Sequence, residues 1–99
     1  MGLLRFAGST TEGTFTIVKA IVSTSDTGNT GSFQLYDLTN ANTIAEVTGV
    51  THAAKDTPKI VTLTVTGGNI PSAEAMFEVQ AKKTAGGGEV RIHEMDIEF

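Results

Sequence analysis

Lys59-Ile60-Val61-Thr62-Leu63-Thr64-Val65-Thr66 decides the fold. Val61, Leu63 and Val65 alternate with Thr62, Thr64 and Thr66, so an extended backbone sends the aliphatic side chains to one face and the threonines to the other. One face is core and one is wet. Phe77-Glu78-Val79-Gln80-Ala81-Lys82 repeats the pattern, with Phe77, Val79 and Ala81 set against Glu78, Gln80 and Lys82. Both stretches read as half-buried strands of an antiparallel sheet.

Outward from these two, Thr14 to Ser23 carries Phe15, Ile17, Val18, Ala20, Ile21 and Val22 on both faces and is expected as a central strand. Leu3 to Phe6, Ser32 to Leu38, Thr43 to Thr51 and Glu89 to Glu98 complete the set. Turn-forming clusters separate the strands: 26–31, Asn40-Ala41-Asn42, Asp56-Thr57-Pro58, 67–71 and Gly86-Gly87-Gly88. Short strands at this spacing, rich in Thr and Val, predict an all-β fold, a single-domain antiparallel β-sandwich of jelly-roll type. Pro71-Ser72-Ala73-Glu74-Ala75 is the one stretch expected to turn helical, for at most a single turn. In the last strand Val90 and Ile92 share one parity while Met95, Ile97 and Phe99 take the other. A β-bulge near His93 and Glu94 reconciles them and leaves Glu94, Asp96 and Glu98 on one outward face.

The chain has 99 residues, of which 39% are hydrophobic and 18% charged, and it has no cysteine. That length suits one domain, 1–99, with residues 1–12 as an N-terminal arm or edge strand. The apolar runs fall far short of the ~20 residues of a spanning helix, so no membrane association is expected. Without cysteine there are no disulfides, no Cys-based zinc sites and no thiol chemistry. The start of the chain lacks a secretory-signal pattern, and Phe6 stands where a myristoylation motif wants Ser or Thr. A net charge of -4 opposes the electrostatic attraction that dominates nucleic-acid binding, so nucleic acid is not an expected partner.

Catalytic chemistry finds few footholds. His52 and the run His93-Glu94-Met95-Asp96 are the only histidine contexts, and no HExxH motif develops from the latter. Asp26-Thr27-Gly28-Asn29 has the oxygen-rich look of a calcium loop but lacks its repeated acidic positions and bidentate Glu. Gly86-Gly87-Gly88 is followed by neither Lys-Ser nor Lys-Thr, so it reads as a loop rather than a phosphate cradle. Ser9, Ser23, Ser25, Ser32 and Ser72 form no Gly-x-Ser-x-Gly elbow. Asp96 and Glu98 share a strand face as a solvated charge pair. The expectation is a non-enzyme with no catalytic, cofactor-binding or metal-binding residue. A carbohydrate-binding surface would ordinarily show exposed aromatics, whereas the chain has no Trp and Tyr36 is its only Tyr.

The remaining signals concern contacts. If the strands flanking the triple-Gly loop pair as a hairpin, Lys82 and Lys83 face the acidic residues Glu89, Glu94, Asp96 and Glu98 across it. Leu3, Leu4 and Phe6 make the terminal segment apolar enough to dock on a neighbour, and these are the candidate interface residues; completing their own core is the competing reading.

Phe33-Gln34-Leu35-Tyr36-Asp37-Leu38-Thr39-Asn40-Ala41-Asn42-Thr43-Ile44-Ala45-Glu46 resembles a pattern of small β-sandwich proteins of tailed-phage virions. In that pattern an Arg- or Gln-Leu-Tyr-Asp strand is followed by a Thr-Asn turn and a return strand. Ile70-Pro71-Ser72-Ala73-Glu74 with Phe77-Glu78-Val79-Gln80, then a Gly-rich turn and a final strand, is similar to their second half. Such proteins decorate heads as cement proteins or serve in fibres. The resemblance, covering residues 14 to 98, implies a virion structural protein on the capsid surface. Its implied partner is the major capsid protein or another virion protein, and its implied state a homo-oligomer, with a trimer as one form. It carries over no catalytic residue, and Gln34 stands where the pattern often has Arg. A carbohydrate-binding or fibre-associated module is the alternative, because the fold alone does not choose between the two roles.

Overall fold

The alternating segments form seven strands in the computed structural model, which describes residues 3–25, 28–51 and 56–98. They are β1 (Leu3–Phe6), β2 (Ile17–Thr24), β3 (Thr30–Asp37), β4 (Asn42–Thr51), β5 (Lys59–Val65), β6 (Ala75–Ala85) and β7 (Val90–Glu98). All pairings are antiparallel, in the order β1-β6-β3-β4-β5-β2-β7. The β4–β5 contact is limited to Ala45 opposite Val65 and Glu46 opposite Thr64. That narrow seam is where the sheet curls over, giving a sandwich-like body that measures 42 × 21 × 19 Å.

Alternation fills the interior. Phe33 and Leu35 from β3, Phe77 and Val79 from β6, and Ile44 and Ala45 from β4 meet Val61 and Leu63 from β5 and Val18, Ala20 and Val22 from β2. Ile44 and Ala45 are adjacent yet both buried, because the β3–β4 register shifts between Leu35 and Tyr36. Aromatic rings close the β1 end of this core. Phe6 stacks on Phe77 at 5.1 Å and meets the edge of Phe15 at 5.7 Å, so Phe15 is buried although it precedes β2.

The second strand pairs with β5 and β7 and is interior to the sheet, as its apolar content implies. Its second face is not buried, however. Ile17 is 37% exposed and Ile21 half-buried.

Helical structure falls elsewhere than expected. A single α turn, α1, spans Ser9–Glu12, and a 3₁₀ turn spans Gly67–Asn69, whereas 71–74 is not helical. Pro71 and Ser72 instead supply acceptors to α1: the Ser9 N–H donates to the Pro71 carbonyl at 2.9 Å and the Thr10 hydroxyl to the Ser72 carbonyl at 3.1 Å. The Ala7 N–H donates to the Glu12 carboxylate at 2.9 Å and ties the end of the turn back to the residue before its cap, Gly8. Gly8, at φ 111, permits this approach; a Cβ there would stand 2.5 Å from the Ser72 oxygen.

The final strand carries its bulge where the parity change puts it. Ile21 lies opposite Glu94 and Val22 opposite Ile92, so His93 is the extra residue. Val90, Ile92, Met95 and Ile97 thereby all pack against the core. The condition of a β6–β7 hairpin is not met: after Gly86-Gly87-Gly88 the chain pairs with β2 at the other edge of the strand order. Lys82 and Lys83 therefore meet Ser32 and Gly31 of β3 instead of the C-terminal acids.

Candidate interaction surface

Strand order and parity place six side chains in a two-by-three lattice on the outer face of β1-β6-β3. Leu3 lies opposite Glu78, which lies opposite Tyr36; Arg5 lies opposite Met76, whose carbonyl accepts the Leu38 N–H at 2.9 Å. Leu3, Leu38 and Met76 are 59%, 45% and 39% exposed. Leu38 and Met76 are directly opposed, about 5 Å apart, whereas Leu3 lies diagonal to Met76 at about 7–8 Å. They form an apolar corner that runs diagonally from the β1 edge to the end of β3, with Arg5 and Glu78 at the interleaving positions; Arg5 pairs with Glu74, its Nε donating at 2.9 Å. The corner is held firmly. The buried Asp37 carboxylate accepts the Asn40 N–H at 3.0 Å and the Asn40 side-chain amide at 2.7 Å, and the Met76 N–H donates to the Thr39 hydroxyl at 3.0 Å.

Beside this corner the same face sinks into an open depression of about 650 Å³, bordered by Ser32, Gln34, Glu46, Gln80, Lys82 and Thr84. Gln34 lies opposite both Glu46 and Gln80. A directed chain of hydrogen bonds runs across its wall: the Thr43 hydroxyl donates to Gln34 Oε1 at 3.2 Å, Gln34 Nε2 to Gln80 Oε1, and Gln80 Nε2 to Glu78 at 2.7 Å.

The expected interface residues divide between inside and outside. Leu3 is exposed on the outer face, Leu4 is half-buried against the core, and Phe6, 3% exposed, belongs to the core outright. They belong to a paired edge strand, and period two separates them. Met76 and Leu38, which sequence reasoning passed over, complete the exposed group. Their outward parity within β6 and β3 is legible in the sequence, but their proximity to Leu3 needs the strand order.

His93 and Ser23 meet at 2.7 Å, Nε2 to Oγ, with the hydroxyl buried and the imidazole exposed. The contact gives a buried hydroxyl its partner. Glu94, Asp96 and Glu98 are exposed on the outer face of β7, where Glu98 pairs with Lys19 at 3.4 Å. Charges along a free edge discourage sheet-to-sheet pairing. Arg91 bridges Asp56 at 2.7 Å and Glu89 at 3.3 Å, and those hydrogen bonds, Asp56 foremost, hold the guanidinium pKa above its ordinary value.

In the loop before β7, Asn29 Oδ1 accepts the Gly88 N–H at 3.1 Å and its amide donates to the Glu89 carbonyl at 3.3 Å, so the triple glycine wraps a buried asparagine. His52, Asp26 and Thr27 lie outside the described residues. Among the described residues no cluster of three or more His, Cys, Asp or Glu side chains could hold a metal ion.

Comparison with protein-family models, curated proteins and solved structures finds no match to this chain.

Proposed function

We propose that this chain is a non-enzymatic structural protein of a tailed-phage virion, a decoration protein that binds the assembled head and stabilises it. The observation that carries the reading is the apolar corner of Leu3, Leu38 and Met76 on a rigid sheet face. An exposed cluster of this kind, with Arg5 and Glu78 interleaved and Glu74 beside it, offers a protein partner apolar and charged contacts together. The resemblance adds support from a second direction. Its two segments, 33–46 and 70–80, lie far apart in the chain, yet they form β3, β4 and β6, which are neighbours in the sheet that presents the corner.

The partner of this reading is the major capsid protein, met by many copies of the chain on the capsid surface. Binding only to the assembled lattice stabilises it by mass action, because dissociating subunits must first shed the bound copies. Light scattering on the purified chain reads the homo-oligomeric state, of which a trimer is one form.

The test is a variant carrying Leu3→Ser and Met76→Ser together, sedimented with phage heads assembled without this chain. Occupancy should fall at least about tenfold relative to the parent, a change of ~1.4 kcal/mol, while the melting temperature stays near that of the parent. Undiminished occupancy would remove the corner from the interface.

A further inference from the structure

We propose that the depression on the outer face of β3, β4 and β6 is a binding site for a neutral sugar, separate from the apolar corner. Its volume, about 650 Å³, lies within the range of small-ligand sites, roughly 300–1,000 Å³. Its chemistry selects the ligand class. Lys82 on β6 and Glu46 on β4 border opposite sides of β3 and cancel in formal charge. An anionic ligand would meet Glu46, and Glu78 at the end of the hydrogen-bond chain. A cationic one would meet Lys82. Between the two charges stand groups that both donate and accept, the Gln34 and Gln80 amides and the Ser32 hydroxyl, and these match the hydroxyl groups of a polyol, while Phe33 and Ala81 supply the apolar part of the same lining.

The site is also preorganised. Two glutamine side chains on a sheet surface ordinarily rotate freely, and fixing each on binding costs about 0.5–1.5 kcal/mol. Here the chain from Thr43 through Gln34 and Gln80 to Glu78 fixes both amides in the folded protein. It uses one N–H of each amide and leaves the second for a ligand. The span from Glu46 to Lys82 crosses two strand spacings and two residues along the strands, about 12 Å, which accommodates a sugar of one or two rings. Tyr36 shares the face next to Gln34 and opposite Glu78; as the only Tyr in a chain without Trp, it reports on the site by its fluorescence.

The experiment is a binding screen of the purified full chain on immobilised neutral and sialylated oligosaccharides, followed by titration of the neutral disaccharide that ends the strongest neutral binder, monitored by Tyr36 fluorescence. The expected result is retention of neutral glycans, with Gln80→Ala weakening the strongest by about tenfold, as loss of one or two hydrogen bonds does. Gln80→Ala should leave the melting temperature and head occupancy at parental values, and Leu3→Ser with Met76→Ser should leave glycan affinity unchanged. No retained glycan, retention of sialylated glycans alone, or a Gln80→Ala variant of parental affinity would each overturn the proposal.

Discussion

Replacing Phe6 by Ala separates the packing role of β1 from its surface role. The Phe6 ring is 3% exposed and lies between Phe77, 5.1 Å away in a stacked pair, and Phe15, 5.7 Å away edge-on. Truncating a buried Phe to Ala costs about 3–5 kcal/mol, the loss of transfer energy plus a cavity. Phe6 ends a four-residue edge strand whose neighbours can settle inward, which places the expected cost near ~3 kcal/mol, at the lower end of that range. In a domain of this size each kcal/mol lowers the melting temperature by roughly 4–8 °C, so Phe6→Ala should melt about 12–24 °C below the parent. Leu3, three residues earlier on the opposite face of β1 and 59% exposed, should by contrast accept Ser within ~0.5 kcal/mol. Thermal and urea unfolding followed by circular dichroism measures both. A Phe6→Ala variant within ~1 kcal/mol of the parent would refute the placement of β1 over the core, as would a Leu3→Ser variant of equal cost.

Three further outcomes follow from the same geometry. His93→Ala should destabilise the protein by about 1–3 kcal/mol because it strands the buried Ser23 hydroxyl, whereas Ser23→Ala frees an exposed imidazole to water and should cost less; urea midpoints rank the two. Gly86→Ala should cost at least ~2 kcal/mol, since Gly86 has φ 96 and a Cβ there would stand inside the Asn29 side chain, while Gly87→Ala meets nothing within 4 Å and should be neutral or slightly stabilising in the same melts. Asp37→Ala leaves the Asn40 N–H and side-chain amide without their acceptor and should cost ~1–3 kcal/mol, with Asp37→Asn recovering part of it.

Local signals carried much of this fold, and non-local pairing carried the rest. The 61/63/65 and 77/79/81 alternations place core residues directly, and the parity switch between Ile92 and Met95 locates the bulge at His93 because only an extra residue keeps both halves of β7 facing inward. The partner of β7 was not legible. A three-glycine connection reads locally as a hairpin turn, yet β7 pairs with β2 far earlier in the chain, from Thr24 opposite Val90 to Ile17 opposite Glu98. The Ser23–His93 contact was hidden for the same reason. Period two, applied to Leu3-Leu4-Arg5-Phe6, would have separated the core residues Leu4 and Phe6 from the outward Leu3. The candidate surface was legible only in parts: each outward residue follows from its strand, but the corner and the depression come into being through the adjacency of β1, β6, β3 and β4. The helical turn at Ser9–Glu12 was missed because its acceptors, the Pro71 and Ser72 carbonyls, lie 62 residues onward in sequence.

The most direct test of the decoration role is the number of parental copies that sediment with each head assembled without this chain, measured as the free chain is raised to saturation. A plateau at a fixed copy number set by the symmetry of the capsid, with heads that then resist heating better than bare ones, is the predicted result. Heads that pellet without the chain, or that take it up without reaching a plateau, would contradict it.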